Sequence, residues 1–178
     1  MRIVAGKFRS RIIEAPEGLN TRPSSDKTRE SIFNIINPYL FDAVILDIFS
    51  GSGALAIESI SRGAKEATLI DNNSNSIECI KNNLNKLGIE NQCFVLNDDY
   101  TIIKTLNKTF DVILLDPPYK MDVFKDILQI INENNLLSEN GIIVFESDFQ
   151  HSIKQEVEGY KLKVKKYGIA YVNILYKV

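Results

Sequence analysis

The sequence predicts an α/β fold with a mostly parallel β-sheet, a C-terminal antiparallel hairpin, and a small N-terminal β-hairpin or arm followed by a helix. In the middle of the chain, short β-branched apolar runs alternate with longer segments whose apolar residues recur at helical spacing. This alternation is typical of βαβ units around a parallel sheet. A glycine-containing turn joins the first of these runs to the first helical segment, which is how such units connect a strand to its helix.

Two smaller pieces precede the first buried strand. Residues 3–15 contain β-forming side chains interrupted by Gly6 and by basic residues, which indicates a hairpin or an arm. Residues 22–24 then lead into a segment with apolar residues at helical spacing, for which Asp26 is a suitable N-cap.

The main elements follow in order along the chain. Strands are predicted at 43–48, 67–70, 93–96, 112–115 and 142–145, and helices at 54–62, 75–87, 100–106 and 123–134. Gly63 and Gly88 stand just past two of these helices, where glycine commonly ends a helix. The final hairpin pairs residues 161–164 with residues 169–176 across a turn at Tyr167-Gly168.

Length and composition indicate one well-cored domain with a small appendage. The chain has 178 residues, of which 44% are hydrophobic, enough for one core and too few for two domains of ordinary size. No apolar stretch reaches the roughly 18 residues that a membrane helix needs, and the N-terminus lacks a signal-peptide core, so we expect a cytoplasmic protein. The isolated Cys79, Cys93 and His151 lack the spacing of metal ligands, and no metal is expected.

Charge is divided unevenly along the chain. The net charge is −2, yet residues 1–30 carry seven Lys or Arg against four Asp or Glu, and residues 151–178 carry six against two. Arg2, Lys7, Arg9 and Arg11 fall within a stretch without acidic residues. Such a stretch is expected of an arm that contacts nucleic-acid phosphates, although a solvated basic surface has the same composition.

The glycine-containing turn predicts a nucleotide-type cofactor site. Residues 46–56 place Gly51 and Gly53 between a strand and a helix, where glycine permits a tight turn and a close approach of the backbone to a ligand. Asp71 ends the next predicted strand, twenty residues beyond Gly51, and its carboxylate is placed to accept ribose hydroxyls. Asp98 and Asp99 end the third strand, where an adenine would lie. This pattern also fits a nicotinamide-dependent enzyme.

Asp116-Pro117-Pro118-Tyr119 ends the apolar run 112–115. Two consecutive prolines cannot continue a strand, so the chain leaves the sheet there in a fixed, extended direction. The Asp116 carboxylate and the Pro117 carbonyl are hydrogen-bond acceptors, and the Tyr119 ring is a flat surface for stacking. Together they suit a planar base that carries an exocyclic amino group.

These motifs, in this order, resemble the class I S-adenosylmethionine-dependent methyltransferases that modify exocyclic amino groups, with their Rossmann-like sheet. The segments 2–6, 22–24 and 29–34 narrow the resemblance to the bacterial RsmD-type enzymes, which methylate guanine N2 in 16S ribosomal RNA of the small subunit. The resemblance covers nearly the whole chain. It departs at Ser24, where that family more often has threonine, and in the acidic overall charge.

The resemblance implies a division of the chain and a role for each site residue. Residues 1–40 would form an RNA-binding arm and helix, and residues 41–178 a methyltransferase domain that binds S-adenosylmethionine. Asp116, Pro117 and Tyr119 would be catalytic. The cofactor-binding residues would be Asp47, Phe49, Gly51, Ser52, Gly53, Asp71, Asn72 and Asp99, and the RNA-binding residues would be Arg2, Lys7, Arg9, Arg11, Arg22 and Arg29. For Asp47, a purely structural role in holding the glycine turn is an equal alternative.

Three other functions stay open at this point. An adenine-N6 methyltransferase acting on DNA would use the same Asp-Pro-Pro-Tyr motif, and only the terminal segments favour guanine in RNA. A nucleotide-dependent oxidoreductase explains the glycine turn and Asp71 but leaves the two prolines unexplained. An inactive RNA-binding module is the third. We expect a monomer whose partner is small-subunit ribosomal RNA, presented by an assembled or partly assembled 30S particle.

Overall fold

The computed structural model describes residues 1–17, 26–118 and 120–178 of the chain. Within these residues the helices are α1 (Asp26–Ile36), α2 (Ala54–Ser61), α3 (Ser74–Leu87) and α4 (Phe124–Glu133). The strands are β1 (Val44–Ile48), β2 (Glu66–Asp71), β3 (Cys93–Asn97), β4 (Phe110–Leu115), β5 (Leu137–Ser147), β6 (Tyr160–Tyr167) and β7 (Ala170–Lys177). Short 3₁₀ helices cover Asn37–Tyr39, Glu90–Gln92 and Tyr100–Thr105.

The described strands form one sheet in the order β3-β2-β1-β4-β5-β7-β6. The first five strands of this order pair in parallel, whereas β7 runs antiparallel to both β5 and β6. The predicted mostly parallel sheet with a C-terminal antiparallel hairpin is therefore confirmed. The order reverses between β1 and β4, and ligands of open α/β sheets bind at such a switch point, outside the carboxyl ends of the strands.

Three local predictions are wrong in detail. The segment predicted as a helix at 100–106 is a 3₁₀ helix over Tyr100–Thr105, and the side chain of its N-cap residue, Asp99, accepts the Thr101 N–H. Strand β5 begins at Leu137, five residues before its prediction, because extra residues on β5 between Leu137 and Ile142 let Phe110 pair with Leu137 ahead of the regular ladder. The final turn lies at residues 168–169, since Tyr167 still pairs with Ala170.

The core lies on both faces of the sheet. One cluster of buried apolar residues joins the inner sides of α1, α2 and α3 to one face, and a second joins α4 and the 3₁₀ helix at Tyr100–Thr105 to the other. Successive side chains of a strand point to opposite faces of the sheet. Accordingly, Ile45 of β1 belongs to the first cluster and its neighbour Leu46 to the second. Among the described residues, no helix is long and apolar enough to cross a membrane.

The N-terminal segment 1–17 packs against α2 and forms a minimal hairpin. A single antiparallel bridge joins Arg2 to Ile12, and Ile3, Phe8 and Ile13 are buried in the same cluster as β1. Both parts of the chain thus share one core, and the division at residue 40 stays a proposal about function.

Candidate active site

The glycine loop after β1 has three left-handed residues within five positions. Phe49, Gly51 and Gly53 have φ values of 65°, 57° and 79°. A Cβ atom on Gly51 would meet no heavy atom within 4 Å, whereas one on Gly53 would lie 3.2 Å from the Leu69 side chain. A bulky residue such as Phe49 rarely adopts a positive φ, and such outliers cluster at ligand sites. The loop therefore presents open space above Gly51.

Asp71 fastens this loop to the end of β2. One carboxylate oxygen accepts the Gly51 N–H at 2.9 Å, and the other accepts the Asn73 N–H at 2.9 Å. A carboxylate offers about four lone-pair sites, so Asp71 retains acceptor capacity for the hydroxyls of a ligand. Asn72 is exposed beside it. The structure thus brings together the two positions that the sequence separates by twenty residues.

Asp47 lies beneath the loop rather than on its surface. It is fully buried, and its Oδ2 accepts the Ala56 N–H in the first turn of α2 at 3.2 Å. Burial raises the pKa of Asp47 to about 7, and the nearby Asp71 contributes in the same direction against the hydrogen bond from Ala56. These contacts support the structural role for Asp47, which holds the loop against α2. Ser52, which is also buried, supports the loop through its carbonyl, as described below.

An aromatic pair faces the ends of β1 and β3. The rings of Phe49 and Tyr100 lie 5.9 Å apart at an angle of 44°. The Tyr100 hydroxyl donates to Asp126 Oδ2 at 2.6 Å, and this bond raises the pKa of Tyr100 to about 12. The exposed Asp99 accepts the Thr101 N–H at 3.0 Å. Tyr100 is not among the site residues predicted from the sequence, although it directly follows the Asp98-Asp99 pair.

The Asp-Pro-Pro segment leaves the sheet at the carboxyl end of β4. Asp116 is partly buried, Pro117 is buried and Pro118 is exposed. Tyr119 lies outside the described residues, so its stacking role stays a prediction. Burial raises the pKa of Asp116 well above its usual value, and the nearby acids Glu146 and Asp47 raise it further.

Glu146 is a second acid at this edge that is absent from the residues predicted from the sequence. It is 5% exposed and follows Phe145, which pairs with Leu115 in the parallel register of β4 and β5. Glu146 and Asp116 are therefore the next positions of two neighbouring strands. The sequence did contain a signal for Glu146, because it directly follows the apolar run 142–145, as Asp116 follows the run 112–115.

The candidate RNA-binding residues divide into two groups. Arg2, Lys7, Arg9 and Arg11 are exposed on the N-terminal segment. Arg29 is 2% exposed, and its guanidinium donates to Asp26 at 2.8 Å and to the Arg2 carbonyl. The assignment of Arg29 to RNA is therefore corrected: its side chain fastens α1 to the N-terminal segment. Arg22 lies outside the described residues.

Two buried side chains fix the N-terminal segment to α2 and to the glycine loop. Glu58 of α2 accepts the N–H groups of Val4 and Ala5 at 2.9 and 3.1 Å. Asn83 of α3 donates to the carbonyls of Glu14 and Ser52, both at 3.0 Å. One amide thus joins the basic segment to the glycine loop, a connection between distant parts of the sequence that spacing alone does not reveal.

Comparison with known proteins places this site in a family. A family model described as "Conserved hypothetical protein 95" matches residues 1–176. The chain belongs to this family. A Bacillus subtilis member named as a candidate rRNA methyltransferase, YlbH, is 37% identical over 99% of this chain and 99% of its own length. Ribosomal RNA small subunit methyltransferase D of Haemophilus influenzae is 31% identical over 95% of this chain and 90% of its own length.

Solved structures show the same fold. An Escherichia coli protein described as a candidate methyltransferase is 28% identical, covers 99% of this chain and 97% of its own, and superposes with a TM-score of 0.89. A Haemophilus influenzae methylase structure is 29% identical, with a TM-score of 0.82 over 100% of this chain and 98% of its own. The Rossmann-like class I methyltransferase fold and the RsmD-type resemblance are thereby confirmed.

The site of this family member fits S-adenosylmethionine. The open space above Gly51 admits a ligand close to the backbone, and Asp71 presents acceptors beside it. The half-buried ring of Phe49 next to Tyr100 forms an apolar wall that suits an adenine, with the exposed Asp99 at the neighbouring strand end. These observations support Phe49, Gly51, Gly53, Asp71, Asn72 and Asp99 as proposed cofactor contacts.

Proposed function

We propose that this chain transfers a methyl group from S-adenosylmethionine to the exocyclic N2 of a guanine in 16S ribosomal RNA. The observation that carries the proposal is the partly buried Asp116 beside Pro117, at the carboxyl edge of β4 and next to the glycine loop of β1. Relatives that match most of the chain are named as small-subunit rRNA methyltransferases, which supports the same substrate here.

The two acceptors after β4 suit an amino group. An exocyclic NH₂ has two N–H donors, and the Asp116 carboxylate and the Pro117 carbonyl would accept one each. The lone pair of such a nitrogen is delocalised into the ring, so it is a poor nucleophile. Holding both N–H groups turns the nitrogen toward tetrahedral geometry, and catalysis then comes from alignment and charge placement.

The raised pKa of Asp116 has a role in this chemistry. S-adenosylmethionine, when bound, supplies an electrophilic methyl group on a sulfonium. Positive charge develops on N2 as the new bond forms, and the ionised Asp116 stabilises that charge. A carboxylate with a raised pKa also accepts a proton more readily, so Asp116 is suited to take the proton that N2 then releases.

Other residues would bring the RNA to this edge of the sheet. Tyr119 would stack on the guanine once the base has left its RNA context, which costs least in a loop or single strand. The exposed Arg2, Lys7, Arg9 and Arg11 would contact RNA phosphates. Because the chain is acidic overall, we propose that a partly assembled 30S particle presents the RNA to a monomeric enzyme in the cytoplasm.

One transfer assay tests the proposal. Labelled methyl from S-adenosylmethionine is offered to naked small-subunit RNA, to partly assembled small subunits that lack the modification, and to duplex DNA, and the products are analysed as nucleosides. N2-methylguanine in RNA or subunits is the expected product, and the better RNA acceptor identifies the substrate form. N6-methyladenine in DNA alone would show that the chain is a DNA adenine-N6 methyltransferase instead. No label in any acceptor would overturn the proposal.

A further inference from the structure

Phe149 on the loop after β5 and Tyr171 at the start of β7 form an aromatic pair, and a lysine ammonium lies near each ring. Phe149 is 64% exposed, and its ring lies 5.7 Å from that of Tyr171. The Lys154 ammonium lies 4.3 Å from the centre of the Phe149 ring, and that of Lys166 lies 5.6 Å from the centre of the Tyr171 ring. These four residues are called the C-terminal aromatic surface below. Three of them, Phe149, Lys166 and Tyr171, border a shallow cavity of about 560 Å³.

We propose that the C-terminal aromatic surface binds single-stranded RNA next to the base that is methylated. This inference rests on the proposed function and extends it from the N-terminal segment to the opposite end of the chain. Aromatic rings stack on bases of any sequence, and neighbouring lysines pair with the phosphates between them. A ring with an ammonium beside it offers both contacts at one place.

The position of the surface supports this partner. Tyr171 pairs with Ser147 at the carboxyl end of β5, and β5 lies next to β4, which Asp116 directly follows. Adjacent strands are separated by about 4.8 Å, so β7 lies about 10 Å from β4 across the same edge of the sheet. That separation is close to the length of three stacked nucleotides at about 3.4 Å each, so one strand of RNA can span both places.

The loop that carries Phe149 is held in place by a buried amide. Asn173 accepts the Ile153 N–H at 3.0 Å and the Ser152 hydroxyl at 3.1 Å, and it donates to the Phe145 carbonyl at 3.1 Å. The acid of this loop is also engaged, because Asp148 accepts the His151 N–H at 2.9 Å and contacts the imidazole at 2.7 Å. Phe149 is thus presented by a fixed loop, which lowers the ordering cost of binding.

Two matched pairs of variants test the surface. Phe149→Ala removes a ring of the proposed surface, and Phe94→Ala removes a ring that is 52% exposed and has Lys108 at 5.2 Å, but lies on β3 at the other edge of the sheet. The double variant K154A/K166A is matched by K161A/K163A, since Lys161 and Lys163 are exposed lysines nearer the other end of β6. Binding of small-subunit RNA is titrated at several salt concentrations, and S-adenosylhomocysteine binding reports on folding.

The expected result is selective. Phe149→Ala should weaken RNA binding by about 5-fold or more, the equivalent of one base stack, while Phe149→Tyr and Phe94→Ala bind as the wild type does. K154A/K166A should lower the salt slope by about 0.7 for each phosphate that is no longer neutralised, and K161A/K163A should not. Equal RNA binding by Phe149→Ala and Phe94→Ala would overturn the inference, whatever the transfer assay shows. Selective loss of binding without any N2-methylguanine from the wild type would instead retain the surface and reject the proposed function.

Discussion

Glu146 lies beside Asp116 at the carboxyl edge of the sheet, one position past the Leu115–Phe145 pair of β4 and β5. After burial, Glu146 is the largest contributor to the raised pKa of Asp116. Like charges at close range disfavour ionisation of each other. The pKa of the proposed catalytic carboxylate, Asp116, is therefore raised by a residue that belongs to a different strand.

The pH dependence of transfer should report this tuning. The proposed mechanism needs ionised Asp116, so kcat/KM should rise with pH as Asp116 loses its proton. Glu146→Gln removes a negative neighbour, which lowers the pKa of Asp116 and shifts the rising limb to lower pH. Glu139→Gln is the control, because Glu139 is an exposed acid on the same strand, away from this edge. A rising limb that stays in place or moves to higher pH in Glu146→Gln would refute the tuning.

Replacement of Asp116 should separate chemistry from cofactor binding. Asp116→Ala removes one acceptor of the amino group, and removal of one such electrostatic interaction costs about 10²- to 10³-fold in kcat. The affinity for S-adenosylhomocysteine, measured by calorimetry, should change by less than about 2-fold, since the proposed cofactor contacts lie at or just after the carboxyl ends of β1, β2 and β3. Asp122→Ala, an exposed acid shortly after the same segment, should behave as the wild type. Near-normal turnover by Asp116→Ala would remove Asp116 from the mechanism.

The fold was predictable because its signals are local. The apolar runs that became β1 to β4, and Gly88 in its left-handed conformation at the end of α3, follow from residues close together in the chain. Arg29 was misassigned because two of its partners are not local: the Arg2 carbonyl belongs to the N-terminal segment, and the Glu58 carboxylate, 3.9 Å away, comes from α2. Basic composition alone therefore did not distinguish a buried arginine from an exposed one. Asn83, which joins the N-terminal segment to the glycine loop, was missed for the same reason.

Stability should fall as the pH rises, because burial raises the pKa of Asp116 and also that of Asp47. The contribution of Asp47 can be tested separately. The pKa of Asp47 is about 7 in the folded protein against an ordinary 3.8. Between these values Asp47 binds more protons in the folded state than in the unfolded state, so its contribution to stability decreases with increasing pH. At about 1.36 kcal/mol per pH unit, the loss is on the order of 4 kcal/mol. Asp47→Asn keeps an acceptor for the Ala56 N–H and should make this decline less steep in urea unfolding measured from about pH 4 to pH 8.

Asp111→Asn is the matched control for that experiment. Its carboxylate also accepts a backbone N–H, from Val44 at 2.9 Å, but Asp111 lies near the opposite end of the sheet and is only partly buried. Asp111→Asn should show the same fall of stability with rising pH as the wild type. An equally steep decline in Asp47→Asn would show that another group causes it.

Removal of the exposed arginines should test the N-terminal segment as an RNA-binding surface. Arg9→Ala combined with Arg11→Ala should weaken binding of small-subunit RNA and reduce the salt slope by about 0.7 for each phosphate that these side chains neutralise in the wild type. K104A/K125A is the control, since both lysines are exposed and Lys125 lies on α4, which packs on the other face of the sheet. An unchanged slope in the arginine variant would assign Arg9 and Arg11 to the solvated surface.

Gly6 should be indispensable for docking of the N-terminal segment. Its φ is 81°, and a Cβ atom would lie 1.8 Å from the Ser61 carbonyl oxygen, so no side chain fits without moving the backbone. Gly159 is a matched control, because it has a φ of 79° but open space around its Cβ position. Gly159→Ala should cost only the strain of a left-handed residue, about 1 to 2 kcal/mol, whereas Gly6→Ala adds the displacement of the segment.

Gly6→Ala and Gly159→Ala should differ in which backbone amides exchange hydrogen faster, as well as in stability. Gly6→Ala should abolish the hydrogen bond from the Lys7 N–H to the Ser61 carbonyl, which is 2.7 Å long, and should expose segment 1–17 to hydrogen exchange and proteolysis. Because Asn83 joins this segment to the Ser52 carbonyl, faster exchange should extend to the glycine loop, and S-adenosylhomocysteine affinity should fall with it. Equal losses in Gly6→Ala and Gly159→Ala, with segment 1–17 still protected, would show that the close approach to Ser61 does not hold the segment.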